Sequence, residues 1–142
     1  MTAAIRLGDV VNFFECEKIR EDRRRRVIAL KERRRGEVGP YLSFVFENRE
    51  TLLFQIQEMC RAERIIDDAK IQEEIDVYSA LLPRPGELSA TAVHFVRFAV
   101  SREAARSFRD SEVHLMVDHP AARARAVLSD EAKAELLTDL TP

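Results

Sequence analysis

The chain lacks most of what announces a function. No apolar run approaches the roughly 18 residues of a membrane-spanning helix, so a helical span is not expected. The start, MTAAIRLGDVVNFF, has no basic segment followed by a long apolar core, so no secretory signal is read there. Four glycines in 142 residues leave little material for a phosphate-cradling loop, and neither that loop, a dinucleotide fingerprint nor GxSxG occurs. The two cysteines, Cys16 and Cys60, stand in no CxxC or other ligand-spaced cluster. Each falls inside a helical pattern, where cysteine behaves as a small buried hydrophobe. Few cysteines and no signal together lead to the expectation of a reducing, cytoplasmic setting. His94, His114 and His119 form no HxH, HxxxH or HExxH spacing, and isolated histidines do not make a metal site. No catalytic residue, metal ligand or cofactor is assigned. There is also no internal repeat, low-complexity tract or linker to divide the chain.

Charge is what the sequence has in quantity. Asp, Glu, Lys and Arg make up 34% of it, above the usual quarter, yet the net charge is only −2. So balanced a chain projects no global field toward nucleic acid or an anionic membrane. A length of 142 residues fits one domain able to bury a core without staples.

Hydrophobic spacing supplies the elements. Cys16, Ile19, Val27 and Leu30, with Ile28 beside them, predict a helix over 14–35, acidic in its first half and arginine-rich in its second, as the helix dipole favours. Glu21–Arg25 and Asp22–Arg26 are i,i+4 pairs in the favourable direction, and Gly36, Gly39 and Pro40 end the helix. Tyr41 to Phe46 reads as a strand with Leu42, Phe44 and Phe46 on one face. Asn48 caps a second helix with its stripe at Leu52, Leu53, Ile56, Met59 and Cys60. Asp67 or Asp68 caps a third, with Ile71, Ile75, Tyr78 and Leu82 along one side. Residues 88–100 look extended around Val93, Phe95, Val96 and Phe98, too long for one unbent strand. A short helix capped by Ser101 follows, then a hairpin turning at Asp118-His119-Pro120, then a helix capped by Ser129. The expected fold over 1–142 is a single α+β domain: a mostly antiparallel sheet of about four strands with helices packed on one face.

Several unusual strings, in order, carry a resemblance. EKIREDRRRRVIALKERRR, FVFENRETLLFQIQEMCRAERI and IQEEIDVYSALLPRPGELSAT are similar to a bacterial family of unknown function, domain of unknown function 3501. The likeness runs over about 15–91, and AVHFVRF, residues 92–98, resembles the family too. Other members are expected to carry a longer segment between GELSAT and VRF, which are almost fused here, so the chain is expected to be a shortened member. The resemblance implies a role beside rubrerythrin-like and iron–sulfur redox proteins of the cytosol, and no activity.

Two polar sets are candidate binding residues. Glu47, Asn48, Arg49, Gln55, Gln57, Glu58 and Arg61 gather at a strand-to-helix junction and along the helix after it. Gln55 and Glu58 share a face, as do Gln57 and Arg61. Amide and guanidinium groups so arranged suit a partner protein or a small polar ligand, and the bland alternative is ordinary solvated polarity with Asn48 as a cap. The basic set is Arg23, Arg24, Arg25, Arg26, Lys31, Arg33, Arg34 and Arg35. It could grip phosphates, but interleaved acids and absent stacking aromatics favour a solvated or charge-paired face. The acidic stretch 67–76 could neutralise it within the chain or across a homodimer. The preferred expectation is therefore a non-catalytic accessory module that docks on another cytosolic protein. The alternatives are a small-molecule or metal-dependent enzyme with a pocket at Glu58, Arg61 and His94, and nucleic-acid binding through the arginine-rich helix.

Overall fold

The computed structural model describes residues 3–40, 42–92 and 94–141. A 3-10 turn at Leu7–Asp9 leads into α1, Phe13–Arg33, whose N-cap Asn12 accepts from the Glu15 amide at 3.0 Å. The stretch before α1 contributes to the core, since Ile5 is buried and Leu7 and Val10 pack beside it. The inward stripe of α1 is Cys16, Arg20, Arg23, Val27, Leu30 and the C-cap Arg34, every one buried or half-buried. Steps of four and three residues track one helix face. Ile19 and Ile28 instead lie outside it, 38% and 46% exposed.

β1, Arg35–Val38, and β2, Leu42–Phe46, follow as a tight antiparallel hairpin, with Gly36 opposite Phe44 and Val38 opposite Leu42. The sequence reads β1 only as the end of a helix, because two glycines and a proline stand in or beside four residues. Those glycines are there for space. Gly39 has φ +68°, and a Cβ on it would sit 2.9 Å from that of Ala124; one on Gly36 would sit 3.0 Å from Leu115 Cδ2. α2, Arg49–Ala62, and α3, Asp68–Ser79, intervene before β3, Glu87–Thr91, and β4, Phe95–Ala99. The expected bend in the long extended segment is a full reversal, and the sheet runs β1-β2-β3-β4, antiparallel throughout. Tyr41 and Val93, both read as strand residues, lie outside the described residues. α4, Arg102–Ser107, precedes the hairpin of β5, His114–His119, and β6, Ala122–Val127, and α5, Asp130–Leu140, ends the chain. Asp118 pairs with Arg123 on the hairpin's outer face at 3.4 Å.

The α+β architecture is thus the expected one. It has two apolar centres. One joins Val38, Phe46, Leu88 and Ala90 of the sheet to Leu115 and Leu128 of the hairpin and Ala132, Leu136 and Leu140 of α5. The other is helical, with Leu52, Leu53, Ile56 and Cys60 of α2 against Ile75 of α3 and Ile5. Arg34 is tied between them. Wholly buried, its guanidinium donates to the carbonyls of Phe46 (2.6 Å) and Glu47 (3.4 Å), to Glu135 (3.1 Å) and to Asp139. A charge can be held in a dry interior only when paired and hydrogen-bonded in this way. Among the described residues Lys133 is the other buried cation, donating to the carbonyls of Arg109 (3.1 Å) and Ser111 (2.9 Å).

Candidate functional site

The polar residues along α2 do not converge on one cavity: Arg49 lines one cleft, Gln57 and Arg61 line another, and most of the set joins α2 to what precedes it. Asn48 is the N-cap, in a reciprocal box with Thr51: the Thr51 amide donates to Asn48 Oδ1 at 3.0 Å, and the Asn48 amide to Thr51 Oγ1 at 2.9 Å. Glu47 accepts from the Thr51 hydroxyl. Arg49 pairs with Asp9 at 2.8 Å. The Arg6 backbone amide, and then Arg49, hold the Asp9 carboxyl below its ordinary value. Gln57 clamps the main chain of Val11, accepting from its amide at 3.0 Å and donating to its carbonyl at 2.9 Å. Glu58 takes a two-pronged contact from Arg20, at 2.9 and 3.1 Å, and Arg61 pairs with Glu17 at 2.5 Å. Gln55 is half-buried. This polarity ties α2 to α1 through Glu58 and Arg61 and to the segment before α1 through Arg49 and Gln57, with partners as far as 46 residues away in sequence.

The basic set divides. Arg34 is not part of any surface patch: it is the buried residue of the α5 junction. Arg33 and Arg35 pair with Glu135 (3.6 Å) and Glu32 (3.5 Å), and Lys31 is half-buried. Arg24 and Arg25 share Glu21 at 3.9 and 3.8 Å. Arg26 reaches Glu50 of α2 at 3.6 Å and not Asp22. Among the described residues no ion pair joins α1 to the acidic stretch of α3; the arginines find their acids elsewhere. Arg23 and Arg26 line one cleft with Arg49, Glu50, Leu53 and Phe54, a volume of about 500 Å³ between α1 and α2.

A second and more apolar groove, about 560 Å³, lies at the other end of this helix pair. Its wall includes Val10, Phe13 and Phe14 before and in α1, Cys16 and Cys60 at its floor, and Ile65, Ile66 and Ile71 around the α2–α3 connection. Phe14 is 78% exposed and Ile66 83%; Phe13, half-exposed, stands edge-on to Phe14 at 6.2 Å. Large apolar side chains left this open, side by side, are unusual on a small monomer. Both cysteines are free and buried. Burial is the main reason that both thiols titrate above their ordinary value, with Glu58 and Glu17 adding at Cys16 and Glu74 and Glu63 at Cys60. Sequence spacing alone does not mark this groove, because Phe13, Phe14 and Ile66 sit at the ends of elements, where a helical period has no neighbours to reveal a face.

The expected constellation of Glu58, Arg61 and His94 is not assembled. Glu58 and Arg61 are in separate ion pairs, and His94 is exposed in the β3–β4 turn. His114 contacts Glu112 at 2.5 Å, and His119 accepts from the Ala121 amide at 3.1 Å. Among the described residues no three of His, Cys, Asp and Glu are grouped to hold a metal ion. No helix of the described residues is long and apolar enough to cross a membrane.

Comparison with known proteins yields a family and a fold. A family model described as "Protein of unknown function (DUF3501)" matches residues 4–93 and 90–140. The two matches meet where GELSAT and VRF stand nearly fused. No curated protein matches. A crystal structure described as a novel protein of unknown function from Burkholderia pseudomallei superposes with a TM-score of 0.91 at 25% identity, over 96% of this chain and 100% of that one.

Proposed function

Because the chain belongs to the DUF3501 family, a family described by no activity, we propose a function from its surface: it is a non-catalytic accessory module that docks on another protein through the apolar groove at the start of α1. The observation that carries this reading is the exposure of Phe14 and Ile66, both of which line that groove. An exposed aromatic beside a concave apolar floor is the arrangement that anchors most interface energy. The occupant is an apolar segment of a partner protein, a helix face or an extended stretch, bearing an acidic residue beside its anchors. Arg61, Arg64 and Asp68 also line the groove; Arg61 is engaged by Glu17, whereas Arg64 has no ion pair among the described residues and supplies the complement. The polar face of α2 and the arginines of α1 give no comparable surface, since most already have partners within the chain: Arg20, Arg26, Glu58 and Arg61 across the α1–α2 seam, Arg49 with Asp9, Arg24 and Arg25 with Glu21, and Arg33 and Arg34 with α5. The family resemblance directs the search for that partner first to rubrerythrin-like and iron–sulfur redox proteins.

Photo-crosslinking from a benzoylphenylalanine at position 14, in cells of the native host, tests this. The expected result is one protein adduct that disappears when Ile66→Ser is added. An adduct with a second copy of the chain would make the groove a self-association site. An adduct indifferent to Ile66 would remove the proposal.

A further inference from the structure

We propose that the cleft between Arg23, Arg26 and Arg49 binds the phosphate group of a small phosphorylated molecule. Three guanidinium groups and one carboxylate, Glu50, line it, and Asp9 lies on Arg49, so the cluster keeps a net positive charge, although the chain as a whole is slightly acidic. The cations are only partly compensated. Arg49 gives Nη2 to Asp9, and Arg26 gives Nη2 to Glu50. Arg49 Nε and Arg23 Nη1 are both buried and have no hydrogen-bond partner. A buried guanidinium N–H left unmade costs more than a neutral one, and such orphans in a folded protein call for a partner. Both side chains line the one cleft, and a turn of either guanidinium toward it would meet an acceptor with several oxygens. A phosphate dianion provides them, and arginine suits its fork of acceptors better than lysine does.

The cleft also exceeds what a bare oxyanion fills. About 500 Å³ lies in the range of small-molecule sites, and Leu53 and Phe54 give it an apolar side. The favoured ligand therefore carries a phosphate at one end and an apolar or aromatic body at the other. Along α2 the site lies before Ile56 and the docking groove after it, and the two share no lining residue. Occupancy of the cleft would draw α1 and α2 together through Arg23 and Arg49, which belong to different helices.

Phenyl phosphate serves as the probe, titrated calorimetrically into the full chain at constant ionic strength, with inorganic phosphate and benzoate beside it. The proposal expects phenyl phosphate to bind more tightly than either. Arg23→Gln, which breaks no ion pair, should weaken it by about tenfold or more, the worth of a charged hydrogen bond. Arg123→Gln, on the distant hairpin, should leave it unchanged. Equal binding to the Arg23 and Arg123 variants would overturn the proposal, as would no binding. So would a single-stranded oligonucleotide that binds through Arg23 with a steep salt dependence while phenyl phosphate does not, since that result describes a nucleic-acid surface. Because Phe14→Ser leaves the cleft intact, its effect on the docking groove is read separately.

Discussion

Arg34 and Asp139 form an ion pair with no exposed guanidinium surface, closing the end of α1 against α5. The pair is supported by Glu135 and by two main-chain carbonyls of the β2–α2 junction. Breaking it by Arg34→Met strands the Asp139 carboxylate and two carbonyls, leaves Glu135 with Arg33 alone, and should cost about 3–5 kcal/mol, measured as a drop in urea midpoint at unchanged slope. The double variant Arg34→Met with Asp139→Leu should recover part of that loss, because it removes a stranded charge along with its partner.

Asp139 also makes a pH prediction. Burial raises its carboxyl above the ordinary 3.8, and the pull of Arg34 only partly opposes this. A carboxyl raised in the folded state binds its proton more readily there than in the unfolded chain. Its contribution to stability is then complete below the ordinary value and is lost as pH rises through the raised one. The stability difference between the native chain and Asp139→Asn should therefore shrink with rising pH across the mildly acidic range. Denaturation curves taken at several pH values check the slope.

Gly39 and Gly36 should differ in how they tolerate a methyl group. At Gly39 the left-handed backbone and the 2.9 Å approach of Ala124 act together, so Gly39→Ala should cost about 2–3 kcal/mol. At Gly36 the neighbour is the end of the Leu115 side chain, which can shift, and about 1 kcal/mol is expected. Adding Ala124→Gly should rescue the steric part of the Gly39 loss and none of the Gly36 loss.

Gln57 predicts a local rather than a global effect. Its amide satisfies both polar groups of Val11, so Gln57→Leu should release the segment before α1 by about 1–3 kcal/mol of local stability. Hydrogen exchange at the Val11 amide should accelerate much more than exchange in β3.

The two thiols should be inert in the native protein. With both raised above their ordinary value by burial, the thiolate is scarce at neutral pH. A thiol-specific disulfide reagent should modify Cys16 and Cys60 only at the rate of opening, and at once in denaturant.

What the sequence discloses and what it hides follow the range of each interaction. The Asn48 cap is local and is readable from spacing. The β3–β4 segment was readable as extended but not as a hairpin, since nothing in 92–94 is a strong turn signal. β1 was hidden because Gly36 and Gly39 look like breakers until Leu115 and Ala124 are seen against them. The polar face of α2 was visible as composition, and its use was not: Glu58 and Gln57 meet partners 38 and 46 residues away. Arginine in a run reads as surface, yet Arg20 and Arg23 occupy inward positions of α1 and Arg34 is buried at its C-cap. Only their four-and-three spacing from Cys16 hinted at that.

The most direct measurement is the dissociation constant of the partner captured from position 14, for the native chain and two double variants. Phe14→Ser with Ile66→Ser should weaken binding about 100-fold, as removal of two anchors does. Arg24→Ala with Arg25→Ala, on the exposed basic face, should change it by no more than about threefold. The opposite ranking would contradict the assignment of docking to the apolar groove.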